Sequence, residues 1–240
     1  MARSFIEDSI SSWGDKYFKT RTNFTRNDNF LDKQDDRSYC ADMVRENIHI
    51  KEKLLEVGAT LFCERGYHGT GIQEIVDALS IPKGSFYSYF KSKEGFAAEI
   101  VKHYADHVSE VWNILIARGP DDDPLKMLRN AFESIIQGQD ACRIKTGCLI
   151  GNLAGELAES SELCRGTLKS VMVTWCDRVA YHLERAQVQG TVRRDIKATK
   201  LAQFCWDAWE GSLLRMKIEN STEPIRDCVS LLFDVFLKPK

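Results

Sequence analysis

Ser80-Ile81-Pro82-Lys83-Gly84-Ser85-Phe86-Tyr87-Ser88-Tyr89-Phe90-Lys91-Ser92-Lys93 holds lysines, aromatic residues and small residues, and no acid. It reads as a short helix built to meet phosphate. Pro82 suits a first helical turn, where its missing N–H has no partner to lose. Gly84 and Ser85 are poor helix formers, so helix stability does not explain them. With Phe86 and Phe90 directed inward at i and i+4, Gly84, Ser85 and Ser88 face outward, and Tyr87, Tyr89 and Lys83 flank them. Small residues let a backbone approach closely, while tyrosine hydroxyls and lysine ammonium groups bond phosphate oxygens or base edges. On these residues alone, a short amphipathic helix with a solvated polar face is an equal reading.

The preceding segment supplies a partner. Ile50, Leu54, Val57 and Leu61 recur at helical spacing, widened by Leu55, Gly58 and Phe62, which predicts a helix from about 46 to 65 stopped by Gly66. Thr70 with Gln73 three residues on fits a capping box, and Ile72, Ile75, Val76 and Leu79 predict a two-turn amphipathic helix. Two short helices joined by a tight turn at Ser80 and Ile81 predict a helix-turn-helix, whose second member enters a major groove. Ser92 is the expected N-cap of a long helix through Phe96, Ile100, Tyr104, Val108, Val111 and Leu115 to Gly119.

Charge qualifies this reading. From 45 to 103 eight basic residues stand against eight acidic ones, yet every charge between 80 and 93 is positive. A neutral domain binds nucleic acid when its positive charge is concentrated at the contact face, which predicts modest affinity per domain and a need for dimerisation.

The run from Leu54 to Phe96, with Phe62, Gly66, Thr70, Ile75, the segment Lys83 to Phe90 and Lys93-Glu94, resembles the DNA-binding domain of TetR-family transcriptional repressors. The resemblance implies an all-α homodimer with a three-helix reading head and a ligand-binding and dimerisation domain behind it. It implies double-stranded DNA, as a palindromic operator, for the partner. By position Thr70, Lys83, Gly84, Ser85, Tyr87, Ser88, Tyr89 and Lys93 match the family's DNA-contacting positions, and Gln73 joins the expected contact set. Lys91 and Lys93 open the long helix, so they are expected to anchor the backbone.

Behind the head, Asp123 as N-cap and Pro124 at N1 predict a helix ending near Gly138. Residues 147–157 carry three glycines and read as a short, loosely wound helix, which leaves room for a pocket or permits close packing. A helix is expected from Ser161 to Gln189, with Leu163, Leu168, Val171, Trp175, Val179, Leu183 and Ala186 buried and Gly190 as stop. The last two helices, from Asp195 or Ala198 and from Thr222, carry more apolar surface than one protomer buries. The resemblance makes them a two-fold four-helix interface. The expected division is 1–43 as a weakly ordered extension, 44–104 as the DNA-binding domain and 105–240 as the ligand-binding and dimerisation domain.

Gly147-Cys148-Leu149, the run Gly151 to Glu156, and Gly211 to Lys217 with Glu223-Pro224 resemble the NemR/AcuR-like subgroup of electrophile- and acrylate-responsive regulators. Cys148 is then the candidate sensor, because a thiolate is the nucleophile toward electrophiles. Lys217 is its candidate cation, Cys142 a resolving thiol and Trp175 part of an aromatic wall. Cys148 as a small residue in a packed helix is an equal reading. A helical thiol enzyme acting through Cys148 is the alternative function class, disfavoured because no histidine is placed as a base and no cofactor loop is found. His103, Asp106 and His107 have metal-ligand spacing without a third and fourth ligand, so neither a metal nor a cofactor is expected.

Composition bounds the rest. The chain has 240 residues, 43% of them hydrophobic, and a formal charge of −2, so it carries a sizeable core and is not basic throughout. It has no apolar run of membrane-spanning length, and its first thirty positions are too polar for a signal peptide. A cytoplasmic protein without a membrane partner is expected. The eight cysteines form no C-x-x-C pair and are expected to be reduced. Residues 1–42 hold seven basic and eight acidic residues without periodicity, and Met43 is a candidate native start of synthesis.

Overall fold

The structure is a computed structural model that describes residues 36–141 and 145–240, and side chains from residue 49 onward. It is all-α. The order is α1 (Asp36–Arg65), α2 (Ile72–Ala78), α3 (Lys83–Tyr89), α4 (Lys93–Ile116), α5 (Pro124–Ala141), α6 (Leu149–Leu157), α7 (Glu162–Gln189), α8 (Ala198–Glu219) and α9 (Glu223–Leu231). A π-helical turn, Leu232–Phe236, continues α9. No strand occurs among the described residues, and none of their helices is long and apolar enough to cross a membrane.

Helix ends follow local chemistry. Ser92 Oγ accepts from Gly95 N–H at 3.0 Å, and Ser161 Oγ from Cys164 N–H at 3.0 Å. Asp123 Oδ1 accepts from Lys126 N–H at 2.9 Å, which satisfies one of the N–H groups that a helix start leaves without partners. Gly66 and Gly190 end α1 and α7 at φ 75° and 77°.

Several boundaries differ from expectation. α1 starts at Asp36, about ten residues early, so part of the expected extension is helical; its sequence there carries no sustained apolar period by which a helix could be read. The remainder of that extension, residues 1–35, lies outside the described residues. The N-cap of α2 is Gly71, not Thr70. Glu74 rather than Gln73 closes back on it, with Gly71 N–H donating to Glu74 Oε2 at 2.8 Å. The glycine-containing segment is a regular helix, and Leu163, expected inside, is exposed.

The reading head, α1 to α3 with the start of α4, is held by rings. Phe62, Phe86, Phe90 and Phe96 are all essentially inaccessible. Phe96 lies 4.6 Å from Phe90 and 5.0 Å from Phe86, centroid to centroid, in edge-to-face pairs. Burial of each such ring is worth roughly 1.5–3 kcal/mol, with about 0.5–1.5 more for the pairing. Gly58 makes this possible, because a Cβ there would lie 2.3 Å from Phe96 Cζ. Behind the head, α4, α5, α7 and α8 surround the second core, and α9 packs across α8 and α5.

Candidate functional site

The outer face of the helix-turn-helix is assembled from α3. Ser80 makes the turn at φ 54°, and Leu79, Ser80 and Ile81 N–H groups bond back to α2 carbonyls, so α3 leaves at a fixed angle. Phe86 anchors it, while Lys83, Gly84 and Ser88 are exposed and Tyr87 is 50% exposed. Ser85 and Tyr89 are half-buried at its margins. No described residue lies within 4 Å of a Cβ built on Gly84, so no neighbour among them requires a glycine there.

Two expected contact residues are placed otherwise. Thr70 is 1% exposed, and its hydroxyl donates to Gly66 O at 2.8 Å, so it braces the α1–α2 turn from inside. Lys93 turns away from the α3 face: its ammonium donates to Tyr67 O and stands 4.2 Å over the Tyr67 ring. Desolvation there holds its pKa below the usual lysine value. Gln73 is exposed, with Nε2 donating to Asp77 Oδ1 at 2.7 Å.

The same turn is gripped from behind. Glu156, near the end of α6, accepts from Tyr67 N–H at 3.0 Å and from His68 N–H at 2.9 Å, one through each oxygen. Bonds to a charged group are worth roughly 1.5–3 kcal/mol each. Gly66 admits the carboxylate, since a Cβ there would lie 2.5 Å from Glu156 Oε1. The Tyr67 residue is therefore held at its N–H by α6 and at its C=O by α4. Farther along, Ser161 Oγ donates to Glu94, tying the start of α7 to α4.

At the other end of α6 a cavity of about 130 Å³ opens between α4, α5, α7 and α8. Trp112, Phe132, Trp175, Trp206 and Trp209 line it; Trp175 pairs with Trp206 at 5.1 Å and Phe132 with Trp209 at 5.0 Å. Its polar lining includes Gln139, Cys148, Arg178 and Glu210.

Cys148 is the N-cap of α6 and is buried. A helix N-terminus favours a thiolate, but here burial first, and the Glu210 carboxyl second, hold the thiol well above its usual pKa. Lys217 does not act as its cation. That side chain is exposed, and its ammonium reaches Asn152 Oδ1 at 3.4 Å. A carboxyl stands where the cation was expected, because α8 turns Glu210 rather than Lys217 toward Cys148. Cys142 lies outside the described residues.

Burial pushes the Glu210 carboxyl up to about 7, with the Cys148 hydrogen bond opposing. The folded chain therefore keeps a proton that the unfolded chain loses, so stability falls as pH rises from about 4.5 to about 7. At about 1.4 kcal/mol per unit the cost reaches on the order of 3 kcal/mol above pH 7. Glu210→Gln is expected to unfold later than wild type at pH 8 and to lose that advantage at pH 4, read by thermal melts across pH.

Outward, α8 presents Phe204, Gly211, Leu214 and Ile218 at 204, 211, 214 and 218, one helical stripe, with Ile218 73% exposed. On α9, which packs on α8, and in the turn that follows it, Leu231 and Val235 are exposed as well, the latter 66%. A Cβ on Gly211 would meet nothing within 4 Å.

Glu156, Glu210 and Arg178 were missed by sequence reasoning. Two left a trace: Glu156 is the sole charge from 146 to 158, and Glu210 falls between Trp206 and Leu213 on an apolar stripe.

Residues 54–100 match the family model described as bacterial regulatory proteins, tetR family, and residues 124–232 the model described as tetracyclin repressor-like, C-terminal domain. The chain is 33% identical to the HTH-type transcriptional repressor DhaR of Mycobacterium sp. (strain GP1), over 78% of this chain and 92% of that protein. It is 32% identical to the transcriptional regulator AcuR of Cereibacter sphaeroides, over 72% and 79%. Among solved structures, the regulatory protein TetR from Rhodobacter sphaeroides superposes with a TM-score of 0.70 at 30% identity, covering 76% of this chain and 96% of that one.

Proposed function

The chain belongs to the TetR family of bacterial transcriptional regulators, DNA-binding proteins rather than enzymes, and from that premise we propose that it is a repressor released from a palindromic operator by a small molecule entering the cavity behind the reading head. One observation carries the proposal. α6 has the cavity at its N-cap and the reading head at its last turn, through Cys148 and Glu156. A ligand that moves the start of this nine-residue helix moves the carboxylate that grips Tyr67 and His68. Two copies of α3 then no longer meet successive turns of the same duplex. This route runs directly through α6.

The same geometry favours occupancy over thiol chemistry as the signal. A neutral, buried thiol reacts slowly with electrophiles. Release of wild type and Cys148→Ser by the same compound is the result this reading expects.

Glu156→Ala tests the route. Amide exchange of Tyr67 and His68 is expected to quicken at least about tenfold, since two charge-assisted bonds are lost. In operator titrations, the ratio of Kd with and without a releasing ligand is expected to collapse toward one, from the roughly 5–150-fold typical of such coupling. A variant that still releases DNA as wild type does would sink the α6 route and leave the repressor reading intact.

A further inference from the structure

We infer that the cavity selects a small, single-ring or similarly sized molecule that carries a hydrogen-bond donor, an alcohol or an amine, and rejects carboxylates. This rests on the reading of the cavity as the effector site.

Size comes first. At about 130 Å³ the space is close to that of an apolar protein cavity that takes up benzene, about 150 Å³. The tryptophans and Phe132 give a ring flat apolar partners.

The polar groups set the chemistry. Glu210 Oε1 and Gln139 Oε1 are buried and have no hydrogen-bond partner among the described residues, although Gln139 is only 2% exposed. A buried acceptor without a donor is costly, and a ligand that supplies the donor recovers that cost. Glu210 is fixed in place for this. Its Oε2 occupies the space of a side chain at Gly151, 2.5 Å from where the Cβ would be, and its carboxyl bonds the Cys148 thiol. A ligand bonded to Oε1 therefore touches the carboxyl that bonds Cys148, the N-cap residue of α6, which links recognition to the helix that grips the reading head.

The opposing feature is Arg178, whose Nη1 is also buried without a partner and which lines the cavity from α7. Alone it would attract an anion. Above about pH 7, where Glu210 is ionised, a carboxylate small enough for the cavity brings its charge into the same enclosed space, and like charges at low dielectric repel strongly. Arg178 also borders the outer groove formed with Trp112, Asp177, Tyr181 and His182. The balance favours a donor at Glu210, with any acceptor on the far side of the ligand left for Arg178.

Four probes of one shape decide the matter on the full-length protein at pH 8, where Glu210 is ionised: benzyl alcohol, benzylamine, toluene and benzoate. Emission of the four lining tryptophans reports binding. The expected order is benzyl alcohol and benzylamine at least about tenfold tighter than toluene, with benzoate weakest. Glu210→Leu is expected to bring benzyl alcohol to the level of toluene while leaving toluene itself unweakened. Glu210→Gln, which keeps an acceptor of the same shape, is expected to retain benzyl alcohol and to lose the added binding of benzylamine. Equal binding of toluene and benzyl alcohol overturns the donor requirement. Tightest binding by benzoate, lost in Arg178→Leu, overturns the assignment in favour of an anion. If none of the four perturbs the emission up to its solubility limit, the cavity is not a small-molecule site and the proposed signal falls with it.

Discussion

Gly84→Glu is expected to lower affinity for the operator at least about 100-fold without lowering the melting temperature. The reason lies in what glycine does for α3. A glycine in a helix costs about 1 kcal/mol relative to alanine, and no described residue approaches within 4 Å of the missing Cβ. A glutamate in the first turn of a helix is, moreover, favoured by the helix dipole. The protomer alone would thus be as stable or more stable without the glycine. What needs the small residue is a surface that docks on α3. In contact with DNA, the added side chain lifts the backbone off the groove and sets a carboxylate against phosphates. A loss of about 1.4 kcal/mol in each of two half-sites already gives 100-fold. Affinity within threefold of wild type, in fluorescence anisotropy at fixed salt, would place Gly84 off the DNA.

Leu214→Asp combined with Ile218→Asp is expected to give a folded monomer that has lost at least about 100-fold in operator affinity. Both residues are exposed and lie on the outward stripe of α8 with Phe204 and Gly211. In a two-fold interface each appears twice, and four carboxylates would have to be desolvated beside one another. The protomer fold is untouched, because the inner face of α8, with Leu201, Cys205, Trp209 and Met216, is elsewhere on the helix. Once dimerisation is lost, each half-site is bound alone, and the avidity of linked sites, typically 100-fold or more, disappears. Sedimentation and anisotropy on one sample check both parts. A variant that stays dimeric, or a monomer that binds at full affinity, contradicts the assignment.

Much of the fold was readable because the signals are local. Ser92, Asp123 and Ser161 cap the helices they precede, and Gly66 and Gly190 end theirs at positive φ, all within one turn of chain. The inward pair Phe86 and Phe90 follows from spacing alone. The failures are those that depend on distant partners. Thr70 reads as a cap but serves the Gly66 carbonyl, and Lys93 reads as a phosphate anchor but is held by Tyr67, because the turn between α1 and α2 folds back onto both. Leu163 lies five residues before Leu168, off the stripe that Cys164 and Leu168 share at i and i+4, so Cys164 takes the buried place in the first turn of α7. Cys148 lines the cavity, but its companion could not be chosen between Lys217 and Glu210 by sequence. Both lie on α8, and only the rotation of that helix about its axis decides which meets α6.

The central claim is that two copies of α3 read one duplex as a pair. Selection of bound sequences from a random duplex pool tests it and requires no operator to be chosen beforehand. The expected outcome is enrichment of an inverted repeat whose half-sites are separated by about one helical turn or a multiple of it, lost in Gly84→Glu. No enriched sequence, or a single unrepeated half-site bound by the wild-type dimer, would contradict it.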